Sequence, residues 1–478
     1  MTHLLRSFLR WPLNLGPLAL IVLAAAAIFA LPGSTQGGPA PDLLAPTGGE
    51  VAFDGENIIS RSRTVDINLG LLDTAADTFT FNFFDDAAFP VTFTDRYESP
   101  VGYTLTGTVE GFPLSTASMA VNGDTLTANV KINGAWYGIR HTGDSHVAQE
   151  FNEAAFPLDH PQDVPQWTAA PGAPAADVPE PQATVQLDVL VVYTRAARDA
   201  AGGKSSIENI AALAATETTN AYAKSGINAK LNLVHVEEVS YTESDGDAFS
   251  DALLDITYSD GFGYPEMDQV FDLRDEYHAD FVALLIDDSQ YCGVAWLNNN
   301  PESLGFADVA YSVTAWNCAT GYYSFGHEIG HNQGMRHDWY VDGSTIPFEY
   351  AHGYVNTPGK WRTVLAYNSE CFAQGFNCTR IDHFSNPNVN YSGAPTGIPE
   401  GQPNPSENFR VANEHLAVYA QYRDPGVLYN PGFEYPVTDS NWTLIASGGG
   451  DGRLNYSGAA QGASLLLLNA NGATDLIR

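Results

Sequence analysis

Residues 324–338 read Ser-Phe-Gly-His-Glu-Ile-Gly-His-Asn-Gln-Gly-Met-Arg-His-Asp. They contain His327-Glu328-x-x-His331-x-x-Gly334-x-x-His337. Residues four apart share one helix face, about one turn apart, so His327 and His331 can bind one metal ion together. Glu328 lies slightly round that face, where it can reach a water on the metal. Gly334 suits a helix end that needs positive φ, because it has no Cβ to clash. The chain can then reverse and bring in His337 as a third ligand. Three protein ligands leave a fourth position open, the pattern of a catalytic rather than a structural zinc. Glu328 is then the candidate general acid and base. The competing reading is a histidine-rich helix end without metal. Glu414 is an alternative third ligand, but it lies far downstream and His337 already stands at the expected spacing. Asp338 either orients a ligand histidine or caps the turn. His352, His383 and His415 read as structural.

Elements must hold these groups in place, and the chain is long enough to supply them. Its 478 residues allow two or three domains, and 44% hydrophobic residues can build a sizeable core. With 56 acidic against 21 basic residues the net charge is −35. Such a surface repels nucleic acid and anionic membranes and favours solubility; on grounds other than charge, a monomer acting on protein or peptide substrates is expected. Arg6 and Arg10 precede an apolar run from Leu18 to Leu31, followed by Pro32-Gly33. This reads as a cleaved export signal over 1–31, cut near Ala30, against the competing reading of a membrane anchor. After signal removal no stretch could span a bilayer, and the expected location is extracellular or periplasmic. An oxidising compartment implies two disulfides among Cys292, Cys318, Cys371 and Cys378. Four cysteines allow three pairings, and sequence proximity favours Cys292–Cys318 and Cys371–Cys378. No CxxC supports a cysteine zinc site.

In chain order, residues 33–50 are rich in Gly and Pro and read as a disordered lead-in. The segment 32–160 is otherwise β-rich. It carries Val65-Asp-Ile-Asn-Leu-Gly, Thr78-Phe-Thr-Phe-Asn-Phe-Phe, Tyr103-Thr-Leu-Thr-Gly-Thr-Val and Asn129-Val-Lys-Ile between Gly, Asp and Pro breaks. Asn122-Gly123 and Asn133-Gly134 are hairpin-turn dipeptides. This segment reads as a propeptide or an accessory β domain. Residues 161–184, with six prolines among alanines, form a stiff linker where maturation cleavage is expected. An α/β pattern runs over 185–424. Strands are expected at 187–193, 231–236 and 280–286, and an edge strand at Asp308 to Thr314. Helices are expected at 206–224, 267–278, 321–333 and 408–423. Asp245-Gly-Asp247 with Asp251 is the best local cluster for a structural calcium, although a solvated loop is its usual fate. Beyond residue 424, Leu428-Tyr-Asn-Pro-Gly-Phe-Glu434 opens a β-rich extension to 478. It resembles the first strands of carbohydrate-binding jelly rolls but is too short for such a sandwich.

Tyr291-Cys-Gly-Val-Ala295, the run from His327 to His337, Thr363-Val-Leu-Ala-Tyr367, Phe384-Ser-Asn-Pro387 and the closing Tyr422-Arg423 together resemble the metzincin zinc endopeptidases. They are most similar to the bacterial peptidyl-Asp metalloendopeptidases of the reprolysin and ADAM-like group. The resemblance implies an α/β fold, a metzincin-type twisted sheet with an active-site helix, preceded by a β-rich propeptide. It implies a secreted, zinc-dependent endopeptidase that uses an activated water, with Glu328 taking its proton and returning it to the leaving amine. The alternative is a catalytically weak or inactive binding protein that keeps the fold. Metzincins place a methionine in a tight turn beneath the metal; here Leu365 stands there, a swap that typically costs under about 1.5 kcal/mol. Tyr367, two residues on, either touches the transition state or packs as wall. No cysteine precedes residue 187, so latency must be steric or use another ligand. Cleavage N-terminal to Asp implies a pocket with a cation, and an arginine fork suits a carboxylate best. Arg336, Lys360, Arg362 and Arg380 flank the ligand loop and the following turn; Arg362 and Arg380 are the two to test.

Overall fold

The computed structural model describes residues 40–55, 57–74, 76–160, 165–167, 184–258, 267–423, 465–468 and 474–477. The expected export signal, most of the expected 161–184 linker and most of the 425–478 extension lie outside the described residues. All described residues belong to one compact unit, Ala40–Arg478. In the extension, the backbone of Leu465–Leu468 pairs with that of Thr474–Ile477.

The N-terminal part is one antiparallel sheet. Its strands are β1 (Leu44–Pro46), β2 (Val51–Ala52), β3 (Ile59–Ile67), β4 (Thr78–Phe84), β5 (Ala87–Ser99), β6 (Gly102–Val109), β7 (Thr116–Asn122), β8 (Thr125–Ile132), β9 (Ala135–His141) and β10 (His146–Phe151). They run in the order β1-β3-β10-β9-β8-β7-β6-β5-β4, with β2 beside β3. Alternation is plain in β4, where Phe79, Phe81 and Phe83 are buried and the residues between are half-buried. The β8–β9 turn has Asn133 at φ 51° and Gly134 at φ 83°, the positive pair that an Asn-Gly hairpin turn requires. The expected disordered lead-in is corrected from residue 41 onward. Thr80 donates to Pro41 O (2.8 Å) and Leu43 donates to Thr80 O (2.9 Å), while Leu43 and Leu44 are buried. These bonds join the two ends of the strand order and cover an otherwise open edge.

The second part is a mixed α/β layer. After β11 (Gln166–Trp167) come β12 (Val185–Tyr193), α1 (Arg195–Ala200), α2 (Lys204–Lys224), β13 (Ala229–Glu238), α3 (Ala248–Thr257), α4 (Gln269–Glu276) and β14 (Phe281–Ile286). Short strands β15 (Gly293–Ala295) and β16 (Leu297–Asn298) precede β17 (Tyr311–Ala315) and the motif helix α5 (Ser324–Asn332). The sheet order is β13-β12-β14-β17-β15, parallel except for β15. The edge strand expected over 308–314 is corrected: 304–309 is a 3-10 helix, and β17 lies between β14 and β15. Every β17 residue is buried on both faces, and the true edge, β15, is three residues long and invisible to periodicity. Helix α3 was also not expected. Asp247 caps it by accepting from Ser250 N (3.1 Å), so part of the acidic cluster serves a helix N-terminus.

Helix α2 is buried between the two parts. Its Ile207, Ala211 and Ala214 face the α/β core. Its polar side meets the N-terminal sheet: Ser118 and Asn129 donate to Glu217 Oε1 (2.6 and 2.8 Å), and Asn122 donates to Glu208 (3.0 Å). Cys292–Cys318 and Cys371–Cys378 are disulfide-bonded, and α7 (Asn408–Tyr419), following α6 (Ser369–Ala373), closes the α/β core.

Asp280 ties the end of that core to the central sheet. Its carboxyl accepts from Asp188 N (2.9 Å) and Arg423 N (3.3 Å). Burial is the main reason its pKa rises to about 7, and the Asp188 charge adds to it. A carboxyl raised in the fold stabilises fully below its unfolded value and loses that contribution as pH climbs through the folded one. Thermal unfolding should therefore show stability falling from about pH 4 to pH 7 through this group. Asp280→Asn should flatten that slope and raise Tm at pH 8; an unchanged profile would remove Asp280 from the account.

Candidate active site

Helix α5 starts at Tyr323, whose φ of 66° turns the chain sharply into it. It presents His327 and His331 on one face, both fully buried. Gly334 has φ 84°, and a Cβ there would lie 3.0 Å from Asn298 O, so only glycine makes this reversal without strain. The reversed chain delivers His337. Its Nε2 lies 3.0 Å from His331 Nε2 and 3.3 Å from His327 Nε2.

The other ring nitrogens define the tautomers. His327 Nδ1 faces Val364 O (2.9 Å) and His331 Nδ1 faces Met335 O (2.8 Å). A carbonyl only accepts, so both Nδ1 atoms carry the proton and both Nε2 atoms present lone pairs. Burial holds these imidazoles neutral, taking His327 down to about 3 and His331 and His337 well below their ordinary value. Lone pairs aimed at one another cannot satisfy one another; a cation between them can. The donor set and its spacing therefore fit the zinc that the motif implies.

A fourth imidazole completes the cluster. His160 Nε2 lies 2.7 Å from His337 Nε2 and 3.1 Å from His331 Nε2. Among the described residues, His160, His327, His331 and His337 are the one group of potential ligands that converges in this way. Reading the sequence missed His160. Its only local signal is that Asp159-His160 stands directly before Pro161, and a lone histidine has no spacing partner to reveal it.

Glu328 is fully buried beside the cluster, and both its oxygens lack a hydrogen-bond partner. Burial, reinforced by the charge of Asp159, raises its pKa well above the ordinary value. It lies against the backbone of β15, where a Cβ on Gly293 would come within 2.4 Å of Oε1. Leu365 is buried against α5, its Cδ2 lying 3.0 Å from where a Cβ on Gly330 would be. The Tyr367 ring is 4.3 Å from that of His337, and its hydroxyl accepts from His160 N (3.2 Å). Asp338 accepts from Tyr340 N (3.1 Å) and Tyr367 N (2.7 Å), so it caps the turn and ties the two loops together. Glu414 lies away from the cluster, bound to Arg410 and Tyr350. His352 faces the carbonyls of His337 and Ser344, His383 pairs with Asp382, and His415 faces Val411 O. Nothing in the described residues supports calcium at the Asp245–Asp251 cluster.

The four flanking bases separate clearly. Arg336 is spent on Asp342 and Ile346 O within the ligand loop. Lys360 lies over the Phe376 ring. Arg362 donates to Ala366 O (2.5 Å) and to the Tyr322 hydroxyl (3.0 Å), bracing a wall. Arg380, fully buried, grips Asp159 with both terminal nitrogens, Nη1 reaching Oδ1 at 2.9 Å. Ser324 Oγ donates to the same Oδ1 (2.8 Å).

Three helix- and loop-borne imidazoles with an adjacent unpaired carboxyl can hold a zinc ion and activate a water on it. The family model Reprolysin_5, metallo-peptidase family M12, matches residues 183–385. A peptidyl-Asp metalloendopeptidase of Stenotrophomonas maltophilia is 36% identical over 338 residues, covering 69% of this chain and 76% of that protein. One from Xanthomonas campestris is 34% identical over 316 residues, covering 65% of this chain and 70% of that protein. The chain belongs to the bacterial peptidyl-Asp metalloendopeptidases of the M12 metallopeptidases.

Gly293→Ala should test how tightly the Glu328 carboxyl is placed. The added methyl must push it aside, so turnover should fall by about tenfold to a hundredfold while zinc content stays unchanged. Wild-type turnover in this variant would show that the placement does not matter.

Proposed function

We propose that the chain is a secreted zinc endopeptidase, made with an N-terminal prosegment, that cleaves on the N-terminal side of aspartate. His327, His331 and His337 hold the metal and Glu328 is the general acid and base. The observation that carries this reading is the convergence of three buried Nε2 atoms beside an unpartnered, buried carboxyl. When bound, zinc supplies Lewis acidity at the position those three nitrogens leave open. Glu328, desolvated and without competing donors, takes a proton from the attacking water and hands it to the leaving amine. Its raised pKa suits a group that must hold that proton between the two steps. Tyr367 places its hydroxyl where it meets a backbone lying over the cluster, as it now meets His160. Two disulfides fit an exported protein.

The aspartate preference belongs to Arg380. A buried guanidinium demands a carboxylate, and its planar fork accepts one in bidentate geometry. The chain's own Asp159 shows the fit. Burial pushes that carboxyl up, yet the Arg380 charge and hydrogen bonds outweigh it and hold it well below the usual range. Arg362 acts through Tyr322, as a brace rather than a grip.

Glu328→Gln should keep zinc and fold and lose at least about a hundredfold in turnover. Near-normal activity would sink the mechanism. On a peptide library, the wild type should cleave before Asp far more often than before Leu or Phe. Arg380→Lys should lose about tenfold or more of that preference, because a point charge cannot replace the fork. A wild type with no such preference would end the specificity assignment and leave the zinc chemistry standing.

A further inference from the structure

Asp159 and His160 sit side by side on a strap that lies along the rim of the α/β sheet. Cys292 N donates to Leu158 O (2.9 Å), Gly293 N to Asp159 O (2.5 Å) and Leu297 N to Pro165 O (2.9 Å). Beyond this, β11 pairs with β16 in parallel. Upstream, Phe156 stacks between Trp136 of the N-terminal sheet and Tyr322 of the pocket wall, at ring distances of 5.4 and 4.4 Å. Glu153 pairs with Lys131, whose ammonium also donates to Gly321 O (2.9 Å) and Arg380 O (3.0 Å). The strap is thus anchored on both sides of the dipeptide by contacts of the two parts of the fold.

We infer that Asp159-His160 is a two-point plug of the proenzyme: Asp159 fills the aspartate pocket on Arg380, and His160 supplies a fourth imidazole to the metal. This rests on the proposal that His327, His331 and His337 hold zinc. An imidazole nitrogen in the fourth position would leave no ligand position for the attacking water. That separates the plug from a substrate: it binds as an Asp-containing peptide binds, yet brings its own nitrogen in place of the nucleophile. Tethering raises the local concentration of both groups far above that of any competing peptide. Removing the segment frees the fourth position and the Arg380 pocket in one event.

The test uses the full chain with Glu328→Gln, which stays uncut, loaded with zinc and measured by zinc X-ray absorption. Four imidazoles per zinc are expected. Adding His160→Ala should leave three imidazoles and one oxygen ligand. A count that does not change with His160 overturns the plug. In the uncut native chain, His160→Ala and the near-isosteric Asp159→Asn should each hydrolyse a short Asp-containing peptide at least about tenfold faster than the uncut wild type. Asp159→Asn guards against a misfolded His160→Ala. If both variants stay as silent as wild type while processed enzyme is active, the plug is wrong. If processed wild type cleaves nothing, the proposed function fails instead, and the imidazole count still decides the plug.

Discussion

Removing three neutral imidazoles from water and aiming their ring nitrogens at one point creates a demand that a cation meets. The surrounding structure serves that demand. Val364 O and Met335 O hold the protons on the far nitrogens, which is why the turn after the short strand Trp361–Arg362 and the reversal after α5 are both shaped as they are. Asp338 then binds the two loops together through Tyr340 N and Tyr367 N. Displacement of either loop would turn an Nε2 away and leave a buried polar group unpaired, at a cost of about 1–3 kcal/mol.

The same low dielectric governs the carboxyls. Glu328 has no donor within reach and rises; Asp159 has an arginine and falls. Two acids beside one histidine cluster are thus shifted in opposite directions, set by partners rather than by depth alone. Arg380 is as buried as Glu328, and it is tolerated there because a carboxylate, a hydroxyl and Tyr322 O meet its terminal nitrogens.

Helix α2 shows how one element can serve two neighbours. Its apolar side belongs to the α/β core, while the side toward the N-terminal sheet offers Glu208, Thr216 and Glu217. Those groups can be solvated by water as well as by Asn122, Thr104 and Ser118. A contact built this way can be made tightly without leaving a large apolar scar on either face.

Short-range geometry was legible in the residues alone. The i, i+4 histidines, the glycine reversal, the Asn-Gly turn and the proximity pairing of cysteines all depend on neighbours within a few tens of positions. The edge strand misplaced over 308–314 marks the limit of that reach, since strand order depends on partners far along the chain. What only the tertiary structure decided was which long-range groups meet the site. His160 reaches His331 across 171 residues and Asp159 reaches Arg380 across 221. No local periodicity encodes such encounters. Four bases flank the site in sequence, and folding spent Arg336 on Asp342, laid Lys360 over an aromatic ring, bonded Arg362 to the Tyr322 hydroxyl and set Arg380 on Asp159. The motif determines what chemistry is available; burial and long-range contact determine which side chains take part in it.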